Sequence, residues 1–470
     1  MFERKPTGNK TANKPKIRRV QRDILFGDNI HLMPIPNDTC VDAKVIFQDA
    51  NGNGSFGLSQ EMLSKHLLLL GGTGSGKTNA LYYIIDSIQK QMTDNDMMMI
   101  FDTKGDFADR FYNMNDPNHF LIGSDKTYRK ISKSWNIFSE LKTSTREYDE
   151  RDMKLTAKEI SKILFKDRVS TTQHFFVDAG ADIVSKVLIH LLREAKENQR
   201  LDRLSTADFV NYVNTATIPD YHNMLYSYKD FKSATTYFGL TKGNVLLGNG
   251  GQALGVIAEV NGMVNDLFVG PFGDDYGNGM IGVQDLVRKK GKRTIFVEYD
   301  LSMGQTLAPM YRILFDLALK EAMGGRKDRS GNFYLIIDEA GVMPRIEHLQ
   351  DALNFGRDSG VKVKVVAGLQ TISQLYDLYG EEKGKVLMAG FMNSFCFQTL
   401  DLESRRFISE RFGATYESLL YNQGGELVRT QRSGNVVEDW DIMDLKVGEA
   451  FINLIHTKPV IFKFRFGIYD

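Results

Sequence analysis

The run Gly71, Gly72, Thr73, Gly74, Ser75, Gly76, Lys77, Thr78 concentrates residue types suited to holding phosphate. It fits the pattern GxxxxGK[ST], in which glycines let the backbone curl so that consecutive N–H groups face phosphate oxygens. A helix beginning at Lys77 adds the positive end of its dipole. In that setting Lys77 reaches the β- and γ-phosphates of ATP, and Thr78 ligates Mg2+. The alternative is a glycine-rich strand-to-helix turn that holds no ligand. The apolar segment His66–Leu70 before the run reads as a strand and Lys77–Gln91 after it as a helix, and both favour the phosphate site.

A second candidate is Phe333-Tyr-Leu-Ile-Ile-Asp-Glu-Ala340, an apolar strand pattern ending on two adjacent carboxylates. Ligands of parallel α/β sheets sit at the carboxyl ends of strands, which is where Asp338 falls. Asp338 would hold magnesium, directly or through water, and Glu339 would orient and polarise an attacking water. That pairing suits hydrolysis better than nucleotide storage. An acidic helix cap gives the same pattern in isolation, and the phosphate run in the same chain weighs against it. Met97–Phe101 likewise ends in Asp102-Thr-Lys-Gly-Asp106. Here Asp102 and Lys104 either contact nucleotide or form a polar turn held by an Asp–Lys pair, and the residues alone favour the turn.

Further along, Asn354-Phe-Gly-Arg-Asp-Ser-Gly360 leads into the strand-like Val361–Ala367 and then Gly368-Leu-Gln370. Gln370, closing a strand beside the acidic one, suits a residue that senses the γ-phosphate through water; a buried polar strand end is the competing view. Arg357 has two open readings, an arginine finger acting on a neighbouring subunit's ATP or a surface salt-bridge residue. The run Arg288-Lys-Lys-Gly-Lys-Arg293 could touch nucleic acid, although a solvated hairpin is the commoner outcome. Gly243–Gly255 is glycine-rich enough for a loop lining a channel. The histidines lack metal-ligand spacing, and His66 reads as structural.

These residues need a frame. Apolar strand patterns recur at His66–Leu70, Met97–Phe101, Thr294–Tyr299, Phe333–Ile337 and Val361–Ala367, with a helical stretch at Leu307–Ala322. Such spacing indicates a mostly parallel central sheet covered on both faces, an α/β fold. Further strands are expected at Phe395–Thr399, Glu449–Leu454 and Val460–Arg465. From Trp135 to Asn278 helical periodicity dominates, as in Phe175–Lys196 and Ser205–Asn214, and the stretch closes with the turn-rich Gly270–Gly279. The expected division is a basic flexible arm over 1–30 and the first part of a nucleotide-binding domain over 31–134. An inserted all-α domain would follow over 135–280, and the second part of the nucleotide-binding domain over 281–470.

The 470 residues suffice for two or three domains, and 59 Lys and Arg balance 59 Asp and Glu, so net charge names no partner. A local excess stands at Met1–Arg22, with Glu3 its one acid; it could contact nucleic-acid phosphate or anionic lipid, or be a solvated tail. Cys40 and Cys396 form no disulfide or zinc framework. No apolar run approaches the roughly 18 residues of a membrane span, and no signal-peptide core opens the chain. The expected location is the cytoplasm, with any membrane contact made through a partner.

The order GGTGSGKT, FDTKGDF, LIIDEAG and LQDALNFGRDSGVKVKVVAGLQTISQLYDLYG resembles the TraD/TraG-type coupling proteins of conjugation and type IV secretion, within the HerA/FtsK group of hexameric motors. The resemblance runs from about Phe56 to about Ala414, and Leu349–Gly380 is its most specific part. It implies a RecA-like ring, six subunits with ATP between neighbours and DNA or nucleoprotein near the axis. Lys77 and Thr78 would bind phosphate and magnesium, Asp338 and Glu339 run hydrolysis, Arg357 act in trans and Gln370 serve as sensor. The helical domain would face a relaxase, relaxosome or other cargo proteins. Typical members carry transmembrane helices ahead of the motor, where this sequence has the basic arm; that implies docking on a separate membrane subunit, peripheral to the inner face of the membrane, or a cytoplasmic motor for DNA processing or defence.

The expected function is therefore ATP-driven DNA translocation. An ATP-gated recruitment module without processive pumping and a motor for protein substrates are the alternatives, separable by whether DNA or a protein cargo stimulates turnover.

Overall fold

The computed structural model describes residues 21–31, 42–52, 54–142, 148–168, 174–238, 250–324, 330–358, 361–423 and 426–466. The basic arm up to residue 20 and the glycine-rich stretch before Gly250 lie outside them; Gly250–Leu267 is a helix.

The central element is a nine-stranded sheet. From one edge it reads Val460–Lys463, Glu449–Asn453, Asn393–Phe397, Leu67–Leu70, Lys362–Leu369, Asn332–Ile337, Met97–Asp102, Arg293–Glu298 and His119–Ile122. Neighbours pair in parallel except around Glu449–Asn453, which is antiparallel to both its partners. The strand patterns are continuous apolar runs because both faces are covered. Leu68 and Leu70 join one buried cluster, while Leu67 and Leu69 join the other. Each leucine so buried contributes about 1.5–3 kcal/mol, which fixes the strand from which the glycine run departs.

One face carries an aromatic cluster of Phe47, Phe56, Phe395, Phe397, Phe462 and Phe464, all buried. Phe47 and Phe56 reach it from an antiparallel pair, Ala43–Gln48 with Ser55–Ser59. His66 sits at φ +59° just ahead of the Leu67–Leu70 strand. Its Nδ1 accepts the Val365 N–H at 3.0 Å, and burial pushes the ring's pKa down to about 4, so it is neutral and locks two strands together.

The other face supports a helical array of Glu150–Phe165, His174–Glu197, Thr206–Thr215, Ile218–Ser227 and Gly250–Leu267. Its buried side chains form one cluster with those of the sheet face and of the helix Ala308–Met323. Two short parallel strands, Ser134–Trp135 and Met280–Ile281, form the neck through which the chain enters and leaves. Buried Glu140 clamps that neck: Oε1 accepts from Trp135 Nε1 at 2.8 Å and from the Val283 N–H, and Oε2 accepts the Gln284 N–H at 2.9 Å.

A separate three-stranded antiparallel sheet joins the hairpin Ala414–Gln423 and Glu426–Asn435 to Gln21–Phe26. The last strand of it falls inside the stretch expected to be a flexible arm. Among the described residues no helix is long and apolar enough to cross a membrane.

Candidate nucleotide-binding site

The glycine run leaves the sheet tied on both sides. Gly71 N–H donates to Leu369 O at 3.1 Å and Gly72 N–H to Gln398 O at 2.8 Å. Gly74 and Gly76 then take φ of +73° and +115°, the left-handed region that glycine alone enters freely. At Gly71 the constraint is space: a Cβ there would lie 2.6 Å from Phe397 Cβ and 2.9 Å from Ser75 Oγ. The helix Lys77–Gln91 begins at Gly76 with no side-chain cap, so its first N–H groups and the positive end of its dipole face the loop. Ser75 Oγ is buried without a hydrogen-bond partner. A glycine cradle, an uncapped helix start and an orphan hydroxyl fit a phosphate group.

Lys77 is buried, and its Nζ donates to the carbonyls of Gly71 and, at 3.2 Å, Gly72. Burial lowers its pKa, while the nearby charges of Glu339 and Asp338 oppose that shift. Thr78 follows it, half-buried in the first helical turn.

Sheet order brings the other groups to the same edge. One strand, Lys362–Leu369, separates the Leu67–Leu70 strand from Asn332–Ile337, and all three end side by side. Asp338 follows Ile337, its N–H donating to Phe101 O at 3.1 Å; its Oδ2 accepts from the Thr103 hydroxyl. Glu339 Oε1 accepts the Gln370 N–H at 3.0 Å and the Gly341 N–H at 3.4 Å. Gln370 Oε1 in turn accepts from the Thr73 hydroxyl at 3.1 Å. Thr73, Gln370 and Glu339 thus form one chain of contacts from the glycine loop to the acidic pair. Burial raises the pKa of both Asp338 and Glu339, with Lys77 opposing the shift at Glu339. Buried Lys77, buried Glu339 and half-buried Asp338 lie close enough on one sheet edge to act on each other's charge, an arrangement that a phosphate with a divalent cation would balance. Among the described residues no cluster of three or more His, Cys, Asp or Glu forms a metal cage. Magnesium commonly needs only one or two carboxylates beside phosphate oxygens, and Asp338 with Thr78 fits that donor set.

Not every candidate joins this chain of contacts, although the Lys104 charge lies near enough to oppose the burial-driven rise at Asp338 and to add to the burial-driven fall at Lys77. Asp102 accepts the backbone N–H groups of Phe107 at 3.0 Å and Ala108 at 2.8 Å, capping the short helix Asp106–Phe111. Burial raises its pKa to about 7. The turn is therefore real, but backbone donors hold Asp102, and the Lys104 side chain is exposed. Arg357 is exposed on the turn Gly356–Asp358, ahead of the Lys362–Leu369 strand and near enough to His66 to lower its pKa. Its turn packs beside Val363, and the six strand residues from there to Leu369, at about 3.3 Å each, put it roughly 20 Å from the glycine loop, at the opposite end of the strands. In the run Arg288–Arg293 several cations are engaged internally: Arg288 with Glu321 at 2.8 Å, Lys289 with Asp285 at 2.5 Å, and Lys290 with the Ser330 carbonyl.

Two contributors escaped sequence reasoning. Thr103 lay inside a run already singled out, but its role depends on which strand pairs with which. Gly448 backs the loop from far along the chain, its N–H donating to Ser75 O at 2.9 Å. No local signal marks either.

A family model for the type IV secretion-system coupling protein DNA-binding domain matches residues 53–219 and 276–462, well over half of the chain. The chain belongs to this family. Among solved structures it is similar to the bacterial conjugative coupling protein TrwBdeltaN70 in an unbound form, at 17% identity and a TM-score of 0.67, covering 96% of this chain and 95% of that one. The plasmid coupling protein TrwB in complex with ADP and Mg2+ matches at 18% identity and 0.63, covering 96% of each. VirB4 of Thermoanaerobacter pseudethanolicus matches at 10% identity and 0.50, covering 94% of this chain and 99% of that one. No curated protein sequence matches. At these identities the structures speak for the fold: a RecA-like α/β core with a mostly parallel sheet and an all-α domain. As a member of the coupling-protein family, the chain carries that family's DNA-binding domain.

Proposed function

We propose that this chain is an ATP-hydrolysing motor that translocates DNA, with Gly71–Thr78, Asp338, Glu339, Gln370 and Arg357 as its nucleotide machinery. The observation that carries the reading is the convergence of Lys77, Asp338, Glu339 and Gln370 on one sheet edge, linked through Thr73. TrwB, of the same fold, holds ADP and Mg2+, which supports ATP and magnesium as ligands here.

The backbone N–H groups of Gly72–Lys77 and the side chain of Lys77 hold phosphate charge. Asp338 and Thr78 would hold magnesium, which when bound would supply positive charge against the phosphate oxygens. Glu339, fixed through Oε1 by the Gln370 and Gly341 N–H groups, orients water and takes its proton. The Gln370 amide senses the state of the phosphate end. Arg357 lies too far from its own glycine loop to serve it, which supports a role on the neighbour's nucleotide in a ring, six subunits by the family's pattern. The helical segment between the neck strands is the surface for a relaxase, relaxosome or other cargo, and the units 31–134, 135–280 and 281–470 are the working domains.

The test is steady-state ATP turnover with and without single- and double-stranded DNA, beside a native mass measurement. DNA stimulation of turnover in an oligomer is the expected result. Turnover indifferent to both DNAs overturns translocation, and stimulation only by a protein cargo reassigns the substrate.

A further inference from the structure

The C-terminal run crosses the start of the helix Lys77–Gln91. The Arg465 carbonyl accepts from Asn79 Nδ2 and from the Tyr83 hydroxyl, each at 3.1 Å, and the Phe464 N–H donates to Gly448 O at 2.8 Å. These bonds set Phe466 against two glycines. A Cβ on Gly448 would fall 2.2 Å from ring carbon Cε2, and one on Gly76 would fall 3.4 Å from Cζ. Gly76 is the residue from which the phosphate-facing helix begins. Phe47, Phe56, Phe395, Phe397, Phe462 and Phe464 are all buried, whereas Phe466, next along the same run, keeps 44% of its surface exposed. The ring is anchored at its tip by close packing and left open beside the phosphate cradle.

We propose that Phe466 is the platform on which the nucleobase stacks, making it the residue that adds base binding to a site otherwise built for phosphate. This rests on the nucleotide reading above. The physical basis is general: a base presents a flat π-face, and an aromatic side chain fixed beside the phosphate site receives it at little cost in side-chain freedom. Stacking reads ring area rather than hydrogen-bonding edges, so the platform favours purines over pyrimidines and treats ATP and GTP alike.

The experiment compares wild type, Phe466→Ala and Phe466→Trp by calorimetric titration with Mg-ATP and with inorganic tripolyphosphate, a probe that has the phosphates and no base. Phe466→Ala should weaken ATP about tenfold, within the usual range for one stacked base, and leave tripolyphosphate unchanged. Phe466→Trp should restore ATP affinity, and its added fluorescence, measured against wild type, should be quenched by ATP but not by tripolyphosphate. Unchanged ATP affinity in Phe466→Ala, equal losses for both ligands, or equal quenching by both overturns the platform. If wild type binds tripolyphosphate and ATP equally well, no base site exists; if it binds neither, the nucleotide reading itself fails.

Discussion

Replacing Thr103 by valine tests the role proposed for Asp338 as a magnesium ligand. Thr103 is buried, and its hydroxyl is the side-chain donor to Asp338 Oδ2. Valine keeps the branched shape and deletes the donor, leaving a half-buried carboxylate with less support. A hydrogen bond to a charged group is worth about 1.5–3 kcal/mol, and each 1.4 kcal/mol is about tenfold in an equilibrium constant. The expected loss of magnesium affinity is therefore about ten- to a hundredfold, the usual span for outer-shell partners of a metal ligand. The assay is a magnesium titration of turnover at saturating ATP, with nucleotide binding in EDTA as the control. The half-saturating magnesium concentration should rise by that factor while metal-free nucleotide binding stays within about twofold. A folded Thr103→Val protein with an unchanged magnesium midpoint would refute the role given to Asp338.

Lys77→Ala should abolish ATP turnover, since no other buried cation faces the loop among the described residues, and unchanged turnover would sink the site. Gln370→Leu should keep ATP binding but lower turnover on the order of a hundredfold, because the Thr73 contact is lost while the backbone N–H to Glu339 survives; single-turnover kinetics read the split. Arg357→Ala mixed with Lys77→Ala should recover part of the activity, and no recovery at any ratio would rule out a trans role. Asp102, Glu140 and Glu298 each have pKa values raised by burial to about 7, so the folded chain holds their protons better than the unfolded one. Their contribution is full below about pH 4 and is lost as pH rises through about 7. The nucleotide-free melting temperature should accordingly fall between pH 5.5 and 8, and fall less in Glu140→Gln.

How much of this was legible depends on how local each signal was. The glycine run, the acidic pair and the apolar strands on either side announce themselves within about ten residues, because cradle, strand and helix are consecutive. Gln370 was legible as a strand end, yet its partners Thr73 and Glu339 were not, since they meet it only through sheet order. Asp102 shows the reverse. The polar turn was the favoured reading, but its Asp–Lys pair was not what holds it: the chain turns so tightly that the N–H groups of Phe107 and Ala108 claim the carboxylate. The three-stranded sheet was missed because its strands, such as Glu426–Asn435, are polar and largely exposed and carry little hydrophobic period. The neck strands are two residues each, too short for any period to register.

The position of Lys77 carries a consequence for how the site works. Folded back on the Gly71 and Gly72 carbonyls, it satisfies its donors while two raised carboxylates stand close by. A ligand that brings phosphate offers those donors stronger acceptors, so binding can release the loop carbonyls without leaving the ammonium bare. The Thr73 hydroxyl, now on Gln370, lies on the same loop, so rearranging the loop acts directly on the residue whose N–H fixes Glu339. Gln370 is followed by Thr371, the N-cap of the helix Ile372–Tyr379, and the Ile372 N–H donates to Ser404 Oγ at 3.0 Å. Ser404 is held in turn by Asp401 Oδ2 at 2.9 Å from its N–H. A change at the phosphate end thus reaches the helix Ile372–Tyr379 and the turn Asp401–Ser404 through three hydrogen bonds, Thr73 to Gln370, Ile372 to Ser404 and Ser404 to Asp401. That is the kind of linkage a motor needs between its nucleotide and its moving parts.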